Sequence, residues 1–413
     1  MGHSSARAAQ RFRNDAPVSA EDALKGSARL GTYLKGLRQG YGYSLRKVEE
    51  KARSLGGEID NSQLSRYEKG VCYPSFDKLR TLARVYNVSV QAFSDVVDLE
   101  QLEHVDTHQE NAESLSRQAR EEFELGDYDR AYALYRAAEG RLLQGGDVEA
   151  EPELARSVAR ARLAKAVVLY RLGKISLAEQ ETRQLLRLER HLDEELLVRA
   201  LLQLANVHTS FGELMLASME ARRALELAET RSSVTLQAYA HHALGRIEQE
   251  RHATDGALEH YHQALRLYRE AGDDHEALKV KLNLGPLYAA RGQFREGVRL
   301  LKDVRKEARG HGHRWTVASA CAWLAEVQFR RGDHETARKF MRESNAIASS
   351  GEAQYVDILF LNAYYLWRIA LTEANGTEAK IAIGRMKYLR PYVEQSLTEV
   401  REFDRFMEGG AES

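Results

Sequence analysis

The 413-residue chain contains only 5 prolines and 2 cysteines. Scarce proline, with abundant Ala, Leu, Arg and Glu, predicts a mostly helical protein. Cys72 and Cys321 lie far apart without a CxxC partner, so we expect no disulfide framework and a reducing compartment. No apolar run approaches the ~18 residues that span a bilayer, and no secretory leader is visible. These absences favour a cytoplasmic protein without a membrane partner.

Motifs that carry catalysis are also lacking. The chain has no P-loop, no G-x-S-x-G and no H-E-x-x-H. Its histidine clusters, His241-His242 and 311–313, have no Cys, Asp or Glu at ligand spacing. We therefore expect neither an enzyme nor a cofactor or metal site.

Charge divides the chain into a basic part and an acidic part. The net charge of -1 combines +1 over residues 1–26, +5 over residues 27–97 and -7 over residues 98–413. A basic head on an acidic body suits a polyanion reader carried by a protein-binding body. Residues 1–26 lack periodicity and are expected to form a disordered tail.

Helical signals in the basic part predict a domain of five helices at residues 27–97. Leucines at helical spacing mark the first helix, and Ser44 is a good N-cap for the second. Asp60 or Asn61 caps the third, whose inward residues are Leu64 and Tyr67. A C-cap glycine, Gly70, follows it, and Pro74-Ser75 opens the fourth helix. The apolar residues Val88, Val90 and Phe93 complete the domain.

Four motifs in this region resemble the lambda-repressor-like (Xre-type) helix-turn-helix family. They are Ser-Leu-Arg-x-Val at 44–48, Ser-Gln-Leu-Ser-Arg-Tyr-Glu-x-Gly at 62–70, Pro-Ser at 74–75 and Leu-x-x-Leu-Ala at 79–83. Two features depart from the family pattern. Residues 53–59 lengthen the turn before the third helix, and Leu45 stands where the family often has a phosphate-contacting Gln.

The resemblance implies that the third helix enters the major groove of DNA, where its N-terminal end and outer face reach base edges. We assign Asp60 to capping and Tyr67 to the core. The flanking residues are expected to contact phosphates, which set register rather than sequence. The predicted DNA contacts are Asn61, Ser62, Gln63, Ser65 and Arg66 on the helix, and Ser44, Arg46, Lys69 and Tyr73 beside it.

A polar linker is expected at residues 98–112, and repeats follow over residues 113–413. A turn glycine recurs with a period of about 40 residues, which is typical of helical repeats. His252 stands in one of its places, and Gly376 opens a seventh unit. Small residues stand seven before and five after most of these turns, but in the seventh unit Ile369 and Ile381 replace them. The turn glycines are Gly126, Gly173, Gly212, Gly292 and Gly332.

Small residues at these positions let two antiparallel helices approach closely, and each helix pair must stack on neighbours to bury its apolar face. The pattern resembles the tetratricopeptide repeat, although the period is near 40 rather than 34 and the closing proline is missing. We expect longer second helices to account for both differences. The predicted fold is all-α: a helix-turn-helix domain followed by an α-solenoid of six to seven helix pairs.

The tetratricopeptide resemblance implies that first helices line a concave face that binds a peptide or protein. Asn206 and Asn283 could hold an extended peptide backbone, since an amide both donates and accepts hydrogen bonds. Arg199, Arg246 and Lys279 could bind a carboxylate. The alternative is an ordinary solvated surface. The full predicted set is Arg160, Arg199, Gln203, Asn206, Tyr239, His242, Arg246, Lys279, Asn283, Trp323 and Glu326.

The complete layout resembles the peptide-pheromone-sensing regulators of Gram-positive bacteria. This resemblance implies a homodimeric transcription regulator in quorum sensing, which binds double-stranded DNA and whose repeats bind a peptide or protein effector. Two alternatives stay open. The repeats could hold a cellular protein constitutively as an adaptor, or the chain could be a scaffold with a vestigial helix-turn-helix head.

Overall fold

The computed structural model describes residues 26–100, 110–350, 355–390, 393 and 397–409. The described part contains 20 α-helices and no strand. The chain divides between His108 and Gln109 into two units. Residues 1–25 of the predicted tail and residues 101–109 of the predicted linker lie outside the described residues. Among the described helices, none is both long and apolar enough to cross a membrane.

The first unit contains the five predicted helices, and the last of them extends three residues beyond Val97. Side chains cap three of the helices as N-cap residues. Ser27, Ser44 and Asp60 accept hydrogen bonds from the backbone N–H groups of Leu30, Lys47 and Gln63. The helices are α1 (Ala28–Gly40), α2 (Leu45–Ser54), α3 (Asn61–Glu68), α4 (Phe76–Tyr86) and α5 (Val90–Glu100).

Helix α1 lies against the C-terminal end of α3 at Gly31. A Cβ atom at this position would lie 2.7 Å from the backbone oxygens of both Tyr67 and Glu68. The chain after α3 is equally close to the start of α1, because a Cβ on Gly70 would lie 2.6 Å from the Cα of Ala28. These backbone contacts fix where α3 lies in the domain.

The lengthened turn before α3 packs onto α4. The Arg84 guanidinium donates a hydrogen bond of 3.2 Å to the backbone oxygen of Leu55. Gly57 lies against the side chain of Thr81, and Ile59 is buried in the core. The extra residues therefore belong to the framework that positions the start of α3.

The second unit contains seven helix pairs and a final helix. A short 3₁₀ helix, Glu189–His191, joins the second and third pairs. Pairs 1 to 3 are α6 (Ala112–Leu125) with α7 (Tyr128–Leu143), α8 (Pro152–Arg171) with α9 (Ile175–Leu186), and α10 (Glu194–Ser210) with α11 (Leu214–Thr230). Pairs 4 and 5 are α12 (Val234–Glu250) with α13 (Thr254–Glu270), and α14 (Asp274–Ala290) with α15 (Phe294–Gly310). Pairs 6 and 7 are α16 (Arg314–Arg330) with α17 (His334–Ala348), and α18 (Val356–Thr372) with α19 (Gly376–Leu389), and the last helix is α20 (Thr398–Gly409).

The repeat period arises from two helices of equal length. Each helix from α10 to α16 has the same length, and a connection of three residues separates it from the next. The prediction that longer second helices account for the period is wrong, since the first and second helices of these pairs have the same length. A left-handed residue reverses the chain at each connection, and His252 takes this conformation with φ +59°. In pair 7 that residue is Ala374 rather than Gly376, so Ala379 takes the small-residue position assigned to Ile381.

Small residues bring the two helices of a pair together, and in pair 5 both of them are glycines. Here Gly285 of α14 faces Gly297 of α15, and a Cβ on Gly297 would lie 2.6 Å from the backbone oxygen of Gly285. The other pairs with a regular turn have alanine at the position of Gly297. The two backbones are thus in contact at a point where any side chain would separate them.

The repeat array coils until distant pairs meet. The guanidinium of Arg171, at the end of α8, lies 5.9 Å from the ring centroid of Trp315, at the start of α16. Asp357 lies at the start of α18 and is exposed. Desolvation by the surrounding protein raises the pKa of its carboxyl, while the Arg171 charge and a hydrogen bond from Trp315 oppose this shift. The end of α8 in pair 2 therefore lies against the start of α16 in pair 6 and near the start of α18 in pair 7.

We predict that Gly297→Ala lowers the free energy of unfolding of the repeat unit by about 1–3 kcal/mol, because the added methyl group forces α14 and α15 apart. Scanning calorimetry of the full-length protein would measure this loss. The matched control is Gly256→Ala in α13, where the new Cβ would meet only ordinary contacts at 3.5 Å. Equal stability of the two variants would contradict the close approach.

Candidate nucleic-acid interface and inner repeat face

Helix α3 presents a polar outer face. Asn61, Ser62 and Arg66 are exposed or half-buried, while Leu64 and Tyr67 are buried as predicted. The side-chain oxygen of the half-buried Gln63 accepts a hydrogen bond of 3.0 Å from Lys78 of α4. This bond leaves the Gln63 NH₂ group to donate, which suits acceptor atoms such as purine N7. Ser65, the remaining predicted DNA contact on this helix, is half-buried.

The residues predicted to contact phosphates lie beyond the C-terminal end of α3 and at the start of α2. Ser44 caps α2, so its oxygen accepts a backbone bond while its hydroxyl hydrogen can donate. The Arg46 side chain is 84% exposed, and Glu50 is 3.7 Å away. Lys69 and Tyr73 are exposed beyond the end of α3. We call these four side chains, together with the outer face of α3, the α3 surface.

A buried ion pair not foreseen from the sequence holds the far end of α3. Arg38 of α1 donates to both carboxylate oxygens of Glu68, at 2.6 and 2.8 Å, and to the backbone oxygen of Tyr43 at 3.0 Å. The hydrogen bond to Glu68 is the main cause that raises the pKa of Arg38. Both side chains are largely buried, at 15% and 7% exposure. Arg38 therefore connects α1, the loop before α2 and α3 through one guanidinium.

We predict that Arg38→Ala destabilises the first unit by about 3–5 kcal/mol, because it leaves the Glu68 carboxylate buried without its partner. Arg53→Ala is the control: its ion pair with Glu49 is exposed and should contribute less than about 1 kcal/mol. Chemical denaturation of both variants, followed by circular dichroism, would measure the difference. A loss of similar size in the two variants would show that the Arg38 pair is not a structural support.

In the second unit the first helices form an inner layer. Helix α10 packs beside α8 and α12, and α16 packs beside α14 and α18. This arrangement places the predicted effector-binding positions on neighbouring helices. We call their common surface the inner face.

Several inner-face residues form a polar chain across pairs 2 to 5. Arg246 of α12 donates to the side-chain oxygen of Asn206 at 3.1 Å and to the Tyr170 hydroxyl at 3.5 Å. The Asn283 amide and the His242 ring lie 3.0 Å apart. Burial, assisted by the charges of Arg246 and Lys279, lowers the pKa of His242 to about 3, so this ring is neutral at physiological pH. The two asparagines singled out by the sequence thus lie in two hydrogen-bonded groups, both of which include a residue of α12.

Near the start of the array, the inner face opens into a cavity of about 410 Å³ between α6, α7, α8 and α10. Arg160 and Arg199 line it together with Asp193 and Glu195, and they pair with these acids at 3.3 and 2.9 Å. The Arg199 guanidinium also lies 5.4 Å from the ring centroid of Tyr239. Apolar side chains complete the wall: Phe123, Leu163, Val167 and Leu196. The cavity can hold an apolar group beside a charged one.

The remaining predicted residues differ in accessibility. Lys279 pairs with Glu276 at 2.5 Å, and Trp323 is half-buried against the core. Gln203 is buried, and its amide is 3.5 Å from the backbone oxygen of Ala166. Glu326 is only 2% exposed and pairs with Arg330 at 2.5 Å. Neither Gln203 nor Glu326 is open to a ligand in this conformation.

The two units define a class of protein: a helix-turn-helix domain joined to a tetratricopeptide-type α-solenoid. Residues 29–94 match the family model described as a helix-turn-helix domain. A search of curated protein sequences gives no significant match. The predicted all-α fold is thus confirmed by a domain match at the N-terminus and by the observed repeats.

Solved structures with a similar fold include complexes and an apo form. A Rap protein complexed with Competence and Sporulation Factor is 16% identical over 89% of this chain and 97% of that chain, with a TM-score of 0.52. The apo form of RapI is 15% identical over 69% and 99% of the two chains, with a TM-score of 0.51. NprR in complex with its cognate peptide NprX reaches a TM-score of 0.49 at 12% identity, over 72% and 84%. At such identities the likeness concerns the fold alone.

Proposed function

We propose that the chain is a sequence-specific DNA-binding transcription regulator whose repeat unit dimerises and binds a peptide effector that modulates DNA binding. The α3 surface is the observation that carries the first part. Its polar side chains lie at the start and outer face of a short helix, and capping and a buried ion pair hold that helix at both ends. Such a surface has the geometry for direct readout of a major groove.

The inner face supports the second part of the proposal. It combines side-chain amides, guanidinium groups and an apolar cavity on neighbouring helices, and the coiled array surrounds it. An enclosed surface of this kind fits a peptide better than a broad protein partner. A repeat array of similar fold, the Rap protein, forms a complex with Competence and Sporulation Factor. Here the effector would shift an existing equilibrium between arrangements of two DNA-binding units.

Selection of random duplex DNA on the full-length protein tests the first part. We expect a two-fold motif whose half-sites are about 34–36 Å apart, because a dimer presents two α3 helices on one side of the duplex. Sedimentation analysis should then give a dimer. Failure to enrich any DNA, both with the full chain and with residues 26–100, would reject the proposed reader.

Substitutions on the selected site distinguish base contacts from phosphate contacts. Arg66→Ala should weaken binding by about 1–3 kcal/mol and relax the preference at one base pair. Arg46→Ala should weaken binding to all sequences and reduce the salt slope by about one. Arg80→Ala, an exposed cation of α4 outside the predicted set, is the control. Unchanged base preference in Arg66→Ala would contradict direct readout by this residue.

A peptide library selected on the full-length protein tests the effector site. Arg246→Ala should weaken a selected peptide by roughly tenfold, or about 1.4 kcal/mol, because it removes a charged donor from the polar chain. Arg223→Ala, in an exposed pair on the second helix α11, is the control. Enrichment of a large folded protein from a cellular library, with no peptide selected, would favour the adaptor alternative instead.

A further inference from the structure

Helix α20 packs on inner-face positions of pair 7. Inner-face positions lie at the same distances before the turn residue in every pair. In α18, which precedes the turn residue Ala374, they include Tyr364, Tyr365 and Arg368. The Tyr365 hydroxyl donates to Glu399 at 3.0 Å, and the Tyr364 hydroxyl donates to Glu402. Arg368 also donates to Glu402, at 3.2 Å. The carboxylates of α20 thus accept hydrogen bonds from polar groups that pair 7 would otherwise expose on the inner face.

Aromatic side chains hold the same helix against α18. Phe403 of α20 meets Phe360 edge-on at a centroid distance of 5.8 Å, and Phe406 lies 4.9 Å from Trp367. Phe403 is 2% exposed, whereas Phe406 is 44% exposed. The apolar contact is therefore complete at one aromatic residue and partial at the other.

Helix α20 also places a carboxylate near Glu326 of pair 6, which is buried. Asn206 and Arg246 occupy the same position in pairs 3 and 4 and are half-exposed, but Glu326 is 2% exposed. Burial raises the pKa of Glu326 to about 7, and the nearby Glu399 of α20 contributes to this shift. One of its carboxylate oxygens has no hydrogen-bond partner among the described residues. Helix α20 thus brings a second carboxylate near a buried inner-face group that it does not satisfy.

Two further ion pairs extend the contact of α20 beyond pairs 6 and 7. Arg401 lies 3.5 Å from Glu250 at the end of α12, in pair 4. Asp404 pairs with Arg390, just beyond α19, at 2.7 Å. Helix α20 is thus held by these polar contacts and by an apolar stripe, in which Val400 and Phe403 are buried and Leu397 and Met407 pack against the same core cluster.

We propose that α20 is a built-in occupant of the inner face, and that it competes with the effector for pairs 6 and 7. The proposal rests on the effector site proposed above and names its ligand chemistry. A partner that displaces α20 would carry two aromatic side chains flanked by carboxylates, since these groups meet the tyrosines, Arg368 and Trp367. Release of α20 also exposes Glu326, whose charge then becomes available to the ligand.

A labelled synthetic peptide with the sequence of residues 397–409 tests this competition. The full-length protein should bind the peptide weakly, because its own α20 fills the site. The Phe403→Ala/Phe406→Ala variant of the full chain should bind it at least about tenfold more tightly, since the apparent affinity scales with the fraction of open sites. A peptide in which both phenylalanines are alanine should not bind. Equal binding to both proteins, or binding to neither, would overturn the proposal.

Hydrogen exchange on the unaltered protein provides a test that does not depend on the variant's folding. Backbone amides of α20 should exchange at least about tenfold faster than those of α18, since a displaceable helix opens locally. Excess peptide should accelerate exchange in α20 further. Exchange of α20 as slow as that of α18, with and without peptide, would make it a permanent part of the core. Neither measurement involves DNA, so their outcome can be interpreted independently of whether the DNA selection succeeds.

Discussion

The close approach of paired helices is the constraint on which the repeat unit depends. Small residues at fixed distances from each turn allow the two backbones to pack, and at Gly285 and Gly297 no side chain separates them. Helices of equal length then repeat this contact at a regular interval along the chain. Because each pair rotates slightly against the next, regular stacking coils the array until Arg171 of pair 2 reaches Trp315 of pair 6. The enclosed inner face is a consequence of local packing.

The helix-turn-helix unit solves a different problem, since it must expose one helix and still hold it rigidly. Helix α3 has eight residues, too few to be stable alone. Asp60 caps its start, Leu64 and Tyr67 anchor its inner side, and Arg38 binds Glu68 at its end. Its outer face is therefore free of structural duties apart from Gln63, whose oxygen is held by Lys78. This separation of roles lets the residues of the outer face vary without weakening the domain.

Sequence reasoning succeeded where the signal was local or periodic. Ser44, Asp60 and Gly70 mark helix ends through their own backbone preferences, and the repeat period follows from turns that need a left-handed residue. It failed where partners are distant in the chain. Arg38 and Glu68 look like ordinary surface charges until α1 meets α3, and Gly31 gains its meaning from the same contact. In pair 7 the turn was predicted at Gly376, but the left-handed residue is Ala374, two residues earlier.

The inner-face residues show the same limit in a functional setting. The repeat register placed Asn206, Arg246 and Glu326 at equivalent positions, but their surroundings differ. Arg246 reaches Asn206 across the layer, whereas Glu326 is buried near Glu399 of α20. The register describes each pair in isolation and contains no information about a helix that comes from the end of the chain. If α20 occupies the effector site as proposed, its carboxylates and phenylalanines are a physical guide to the effector.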